Sequence, residues 1–264
     1  MNILHEIAKR TKERVELQKK VRPLEHVIEM AQPESSGRFP FENALKTDDI
    51  AFICEIKKAS PSKGVIAENF PYISIAKEYQ TAGAAAISIL TEPFYFKGSD
   101  QHLREIADEV TIPLLRKDFT VDSYMIYEAK ILGASAVLLI CAILDYDTLA
   151  KYISIAHSIG LSALVETHSE DEIAMALKAG AKIIGVNNRN LKTFEVDITL
   201  SERLRKHVPP DIIFISESGI KTSGDVERLR GIGANAVLIG ETVMRSDDKK
   251  GEILRLRGKP NDKN

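Results

Sequence analysis

Several ionisable residues stand where short apolar runs end. Glu55 and Lys57 close the run FICEIK, and their spacing puts both side chains on one face of a strand, opposite Phe52, Cys54 and Ile56. A carboxylate and an ammonium aimed into a partly enclosed cavity are costly unless paired or used in chemistry, so this face is either catalytic or an ion pair closing a barrel end. In LLRKDF, Lys117 has the parity of Leu115 and reaches the same mouth as Lys57. Two amines facing one pocket lower each other's affinity for protons, which suits a general acid. LVETH supplies Glu166 at the rim, as a salt-bridge partner or as part of the chemistry. GVNNRNL supplies Asn187 and, beyond it, Arg189, donors suited to a carboxylate or a hydroxyl-rich ligand.

Residues this far apart meet only if the chain returns repeatedly to one edge. From about residue 50, β-branched runs alternate with longer amphipathic stretches, which predicts parallel strands joined by crossover helices. The strands read as Phe52–Lys57, Ala85–Leu90, Pro113–Lys117, Ala136–Cys141, Ser162–Glu166, Lys182–Asn187, Ile212–Ser216 and Ala236–Gly240. Four helix-to-strand junctions nearly repeat: AGAAAISIL, LGASAVLLI, AGAKIIGVN and IGANAVLIG, with Gly83, Gly133, Gly180 and Gly233 placed to end helices in a left-handed turn. This recurrence favours a closed eight-stranded parallel β/α (TIM) barrel over a doubly wound sheet. Such barrels gather polar side chains at the C-terminal ends of their strands and hold phosphate in the loops after strands seven and eight. Those loops here are ISESGIK and LIGETVMR, which offer Ser218, Gly219 and Gly240, while Ser60 in the first loop adds a hydroxyl.

The chain is expected to be one domain: an N-terminal helical extension over 1–50, the barrel over 51–257 and a frayed tail over 258–264. In the extension Ile3, Leu4, Ile7 and Ala8 share a helical face, and a second apolar cluster follows at Leu24, Val27, Ile28 and Met30. This segment could cap the barrel bottom, cover its mouth or touch a second subunit. Of the 264 residues 44% are hydrophobic and 28% charged, the balance of a globular protein with a sizeable core, and the net charge of −2 gives no field favouring nucleic acid or an anionic membrane. Cys54 and Cys141 lie in apolar runs, as reduced core thiols of a cytoplasmic protein would. The N-terminal stretch lacks the apolar run of a signal peptide or a membrane span. His5, His26, His102, His157, His168 and His207 are scattered without metal-ligand spacing, and only His168, read as a loop residue, is near a strand exit. No Gly-x-Gly-x-x-Gly follows the first strand and no Walker loop occurs, so neither a dinucleotide nor ATP is implied.

E-x-K-x-x-S-P-S from Glu55 to Ser62, LTEPFYFKGS, LRKDF, VETH, GVNNRNL, SESGI and IGETVMR together resemble the ordered motifs of the indole-3-glycerol phosphate synthases, from the first strand to the last, and ILHEI and FPFENAL resemble that family's helical extension. The resemblance implies ring closure of a phosphorylated carboxyphenylamino deoxyribulose, with loss of carbon dioxide and water, on the route to tryptophan. It implies Lys117 as general acid on the carbonyl oxygen, Lys57 on the substrate carboxylate and in dehydration, Glu55 as general base and Glu166 orienting the lysines. Asn187, Arg189 and Ser218 would hold the substrate, and Ser60, Gly219 and Gly240 the phosphate. Phe96, Phe119, Leu138 and Leu191 would form the apolar slot for the aromatic ring, or are simply core. Glu241 stands where relatives can carry serine in the phosphate loop, which leaves the backbone amides as donors. No metal or cofactor is expected, because the ring cation formed beside the carboxylate is the electron sink. The expected partner is the phosphorylated small molecule, with neither nucleic acid nor membrane, and the expected state a monomer or weak homodimer. A phosphoribosylanthranilate isomerase or sugar-phosphate epimerase would keep the phosphate loops but not the paired lysines and glutamates; a non-catalytic scaffold would have no use for the ionisable rim.

Overall fold

A computed structural model describes residues 3–31 and 39–258; the expected tail beyond Gly258 lies outside them. Eight parallel strands close into a barrel: Ala51–Ile56, Ala86–Leu90, Leu114–Lys117, Ala136–Ile140, Ser162–Thr167, Ile183–Asn187, Ile213–Glu217 and Ala236–Ile239, with the first pairing to both the second and the eighth. Each expected strand is present to within about a residue at either end. Gly83, Gly133, Gly180 and Gly233 all have positive φ, ending their helices as the repeated junctions predict. A small antiparallel ribbon in the first loop, Ala59–Ser60 with Gly64–Val65, has no counterpart in the sequence reading, because two-residue strands carry no periodicity.

Strand parity divides the apolar residues into two cores. Phe52, Cys54 and Ile56 face the surrounding helices, whereas Ala51, Ile53, Leu115, Leu138, Leu164, Ile215 and Leu238 fill the barrel interior. Ascending the interior, these residues give way to Glu55, Lys117, Glu166 and Glu217, all buried or nearly so. The four come from strands one, three, five and seven, the alternation by which a barrel builds each interior layer.

The extension closes both ends. Helix α1 (Ile3–Val21) buries Leu4, Ile7, Thr11 and Val15 along one stripe, and its first turns stand over the strand exits. Helix α2 (Leu24–Met30) buries Val27; Ile28 and Met30, expected within the apolar cluster, are 41% and 48% exposed because the helix rests on the barrel through one narrow face. Helix α3 (Pro40–Ala44) buries Phe41, which joins Leu45 against Ala51, Ala136, Ile183 and Ala236 at the strand starts, plugging the bottom.

Candidate active site

At the strand exits lies a cavity of about 550 Å³, lined by all fifteen residues singled out from the sequence: Glu55, Lys57, Ser60, Phe96, Lys117, Phe119, Leu138, Glu166, Asn187, Arg189, Leu191, Ser218, Gly219, Gly240 and Glu241. Ile3, Leu4 and Ile7 of α1 line it as well, so the start of the extension covers the mouth.

Its floor is ionic. Lys57 Nζ lies 2.5 Å from Glu55 Oε1, and Lys117 Nζ lies 3.0 Å from Glu217 Oε2 and 3.5 Å from Glu166 Oε2. The depression expected of Lys117 does not occur. Burial works against the Lys117 charge, but Glu217, Glu166 and Glu55 outweigh it and raise its proton affinity. Burial likewise opposes ionisation of Glu55, yet Lys57 and Lys117 hold it below the usual carboxylate range. Glu217 is the odd acid: burial, with Glu166 and Glu55 close by, outweighs Lys117 and pushes it up to about 7. Its Oε1 has no hydrogen-bond partner among the described residues.

Glu217 is the residue that sequence reasoning missed. Ser218 drew attention as the small residue of the phosphate loop, but the signal was there: Glu217 shares the parity of Ile213 and Ile215, and a layer already fed by strands one, three and five requires a side chain from strand seven. Gly185 in strand six makes room for it, since a Cβ there would stand 2.1 Å from Glu217 Oε1. Gly240 does the same for the other pair, its missing Cβ falling 2.6 Å from Glu55 Oε1.

The opposite side of the cavity collects cations around Glu241. Its carboxylate lies 3.2 Å from Arg245 and 4.0 Å from both Lys63 and Arg189, and Arg189 also donates to the Phe194 carbonyl at 3.1 Å. The loop after strand seven takes left-handed backbone at Ser218 (φ 67°) and Gly219 (φ 84°). Asn188 anchors it, donating to Ser216 Oγ at 3.0 Å and to the Ser218 carbonyl at 3.1 Å, and Thr242 ties the loop after strand eight to it by donating to the Ile220 carbonyl at 2.7 Å. Between these ends, Phe96 and Phe119 face each other with ring centroids 6.2 Å apart, tilted by 40°. Cys54 and Cys141 take no part: both are buried, and burial pushes each thiol up to about 12. Among the described residues no three His, Cys, Asp or Glu side chains gather as a metal would need.

A closed β/α barrel with a charged layer at its C-terminal mouth and small-residue loops after strands seven and eight defines the class of phosphate-handling barrel enzymes. The tryptophan synthase α-subunit of Pyrococcus furiosus shares the fold, at TM-score 0.61 and 15% identity over 80% of this chain and 98% of that one. The family model for indole-3-glycerol phosphate synthase matches residues 4–256. The synthase of Ruminiclostridium cellulolyticum is 60% identical and that of Endomicrobium trichonymphae 54%, each alignment covering 97% of this chain and 99% of the relative. The chain belongs to the indole-3-glycerol phosphate synthase family. It is a carboxy-lyase of tryptophan biosynthesis, converting 1-(2-carboxyphenylamino)-1-deoxyribulose 5-phosphate to indole-3-glycerol phosphate.

Proposed function

We propose that the substrate lies across the cavity with its carbonyl at Lys117, its carboxylate at Lys57 and its phosphate beside Ser60, Ser218, Gly219, Gly240 and Glu241. The observation that carries this reading is the single buried layer in which Glu55, Glu166 and Glu217 surround Lys117, with Glu217 at 3.0 Å and Glu166 at 3.5 Å, and Lys57 one pleat above it on Glu55. Phe96, Phe119, Leu138 and Leu191 take the aromatic ring between the two charged ends, and Asn187 and Arg189 fix the ribulose chain.

In this pose the ring carbon bearing the carboxylate attacks the carbonyl carbon, and Lys117 protonates the oxygen as it becomes a hydroxyl. The ring cation then draws the electron pair of the bond to carbon dioxide, so aromaticity returns without a metal or prosthetic group. Decarboxylation leaves a hydroxyindoline. Lys57 protonates the departing hydroxyl, Glu55 takes the proton from the neighbouring carbon, and at 2.5 Å the proton passes back from Glu55 to Lys57. Written from the substrate carboxylate, the reaction consumes one proton net. Glu217 supplies it to Lys117 near neutral pH, where its own affinity is balanced. Glu166 orients the lysine.

The unpaired buried cysteines suit a reducing compartment, which supports a cytoplasmic location. Helical extension and barrel act as one domain, and the working state is a monomer or weak homodimer. Lys117→Ala tests the central assignment. Turnover, followed by indole absorbance from the open-chain substrate, is expected to vanish while the product still binds. The fold should survive because Glu217 neutralises by taking up a proton. Turnover at the parent rate would reject Lys117 as the acid.

A further inference from the structure

The motif VETH places His168 two residues beyond Glu166, outside the cavity and outside the mechanism above. Its ring is largely enclosed, with 17% of the side chain exposed. Nε2 lies 3.6 Å from Glu166 Oε1 and Nδ1 lies 3.4 Å from Glu172 Oε2. The backbone N–H of His168 donates to the same Glu172 oxygen at 2.7 Å, so the following helix fixes the ring from behind. Nε2 has no hydrogen-bond partner among the described residues, and the group it faces is the carboxylate whose other oxygen holds Lys117 at 3.5 Å.

We propose that His168 is a positioning residue that tunes Lys117 through Glu166, its imidazolium drawing off part of the charge with which Glu166 grips the lysine. This rests on the reading of Lys117 as the acid. With the ring charged, Glu166 is shared between two cations and Lys117 releases its proton more readily; with the ring neutral, Glu166 acts on Lys117 alone and strengthens its hold. The groups facing the ring are Glu166 on its own segment, Glu172 from the helix behind, Glu217 from strand seven and, past Glu166, Lys117 from strand three. Cys141, which approaches the Glu172 carbonyl, is neutral. Burial opposes the charged ring, but Glu172, Glu166 and Glu217 outweigh it and raise its affinity above the usual imidazole value. The favourable state therefore exists below the pKa of the ring and is lost as pH rises through it.

The test pairs direct titration of the His168 ring by NMR, in the parent and in Glu166→Gln, with pH profiles of kcat and KM for the parent, His168→Gln and Lys117→Ala. The parent kcat should fall as pH rises through the measured pKa. His168→Gln should lower kcat about three- to tenfold on the acid side, as half to one unit in the acidity of a donor gives, with KM unchanged and the inflection at the ring's measured pKa absent, leaving only that of Glu217. Glu166→Gln should lower the pKa of the ring. A ring indifferent to Glu166→Gln, or a His168→Gln profile that keeps the parent inflection and height, overturns the proposal; the inflection then belongs to Glu217. Turnover by Lys117→Ala would instead reject the underlying acid assignment.

Discussion

Three buried carboxylates share one buried amine at the centre of this site, and that imbalance sets the behaviour of single residues. Free carboxyl groups titrate near 4.5, so over the interval up to about 7 the folded protein holds a proton on Glu217 that the unfolded chain has released. Stability attributable to Glu217 therefore declines as pH rises through that interval. Glu217→Gln removes the surplus charge: at pH 8 the variant should melt higher, by about 2–4 °C for each kcal/mol relieved, while kcat falls at least tenfold if Glu217 is the proposed proton source of Lys117. A melting temperature at pH 8 equal to or below the parent's would show that the carboxylate is not under strain. Glu241 offers the reverse case, a carboxylate that neutralises Arg189, Lys63 and Arg245 where the phosphate is expected. Glu241→Gln should lower KM about twofold or more at low ionic strength, with kcat unchanged and the gain lost on adding salt; an unaltered KM would put the phosphate elsewhere. Parity alone made Glu55, Lys57, Lys117 and Glu166 legible as one mouth. The protonation behaviour of Lys117 was not, because a sequence shows the second lysine and hides how many acids surround the first.

The charged layer exists because strands one, three, five and seven each send a side chain to the same height, while the even strands fill the level beneath. Gly185 belongs to that lower level, and its lack of a side chain is what lets the Glu217 carboxylate lie down beside Lys117. Gly185→Ala should therefore swing the carboxylate aside rather than unfold the barrel, because the atom met first is the end of a flexible chain. The expected result is a kcat loss approaching that of Glu217→Gln with KM within about twofold, since the residues proposed to hold phosphate and ring are untouched; parent-like kcat would mean that the carboxylate has another seat. Recurring junctions made the strands legible, because each glycine marks where a helix must stop. The ribbon over Ala59–Val65 was not, for want of length, and Asn188, which pins the loop after strand seven, was hidden behind its neighbour Asn187.

Across the whole molecule, the extension that periodicity left with three possible places takes two of them. Phe41 and Leu45 seal the bottom, and α1 lays Leu4 and Ile7 over the mouth, each apolar side chain contributing about 1.5–3 kcal/mol when fully buried. Polar contacts latch α1 to the loops it covers. Glu6 accepts from the Tyr95 hydroxyl at 2.6 Å, Arg10 lies over the Tyr95 ring at 5.5 Å, and Arg14 reaches Asp118 Oδ2 at 2.7 Å. Asp118 adjoins Lys117 in the chain; burial opposes its charge, but Arg14 and Arg116 outweigh that and hold it below the usual carboxylate range. Opening the latch should loosen the roof of the apolar slot without touching the acid. Arg14→Met is expected to raise KM severalfold with kcat changed less than twofold, and to lower the melting temperature because a buried carboxylate loses a partner. Asp118→Asn in the same chain should recover part of the stability, since the neutral amide needs no cation, giving a coupling of about 1–3 kcal/mol in the double-mutant cycle. If Arg14→Met instead lowers kcat at constant KM, α1 acts on the chemistry and not as a cover.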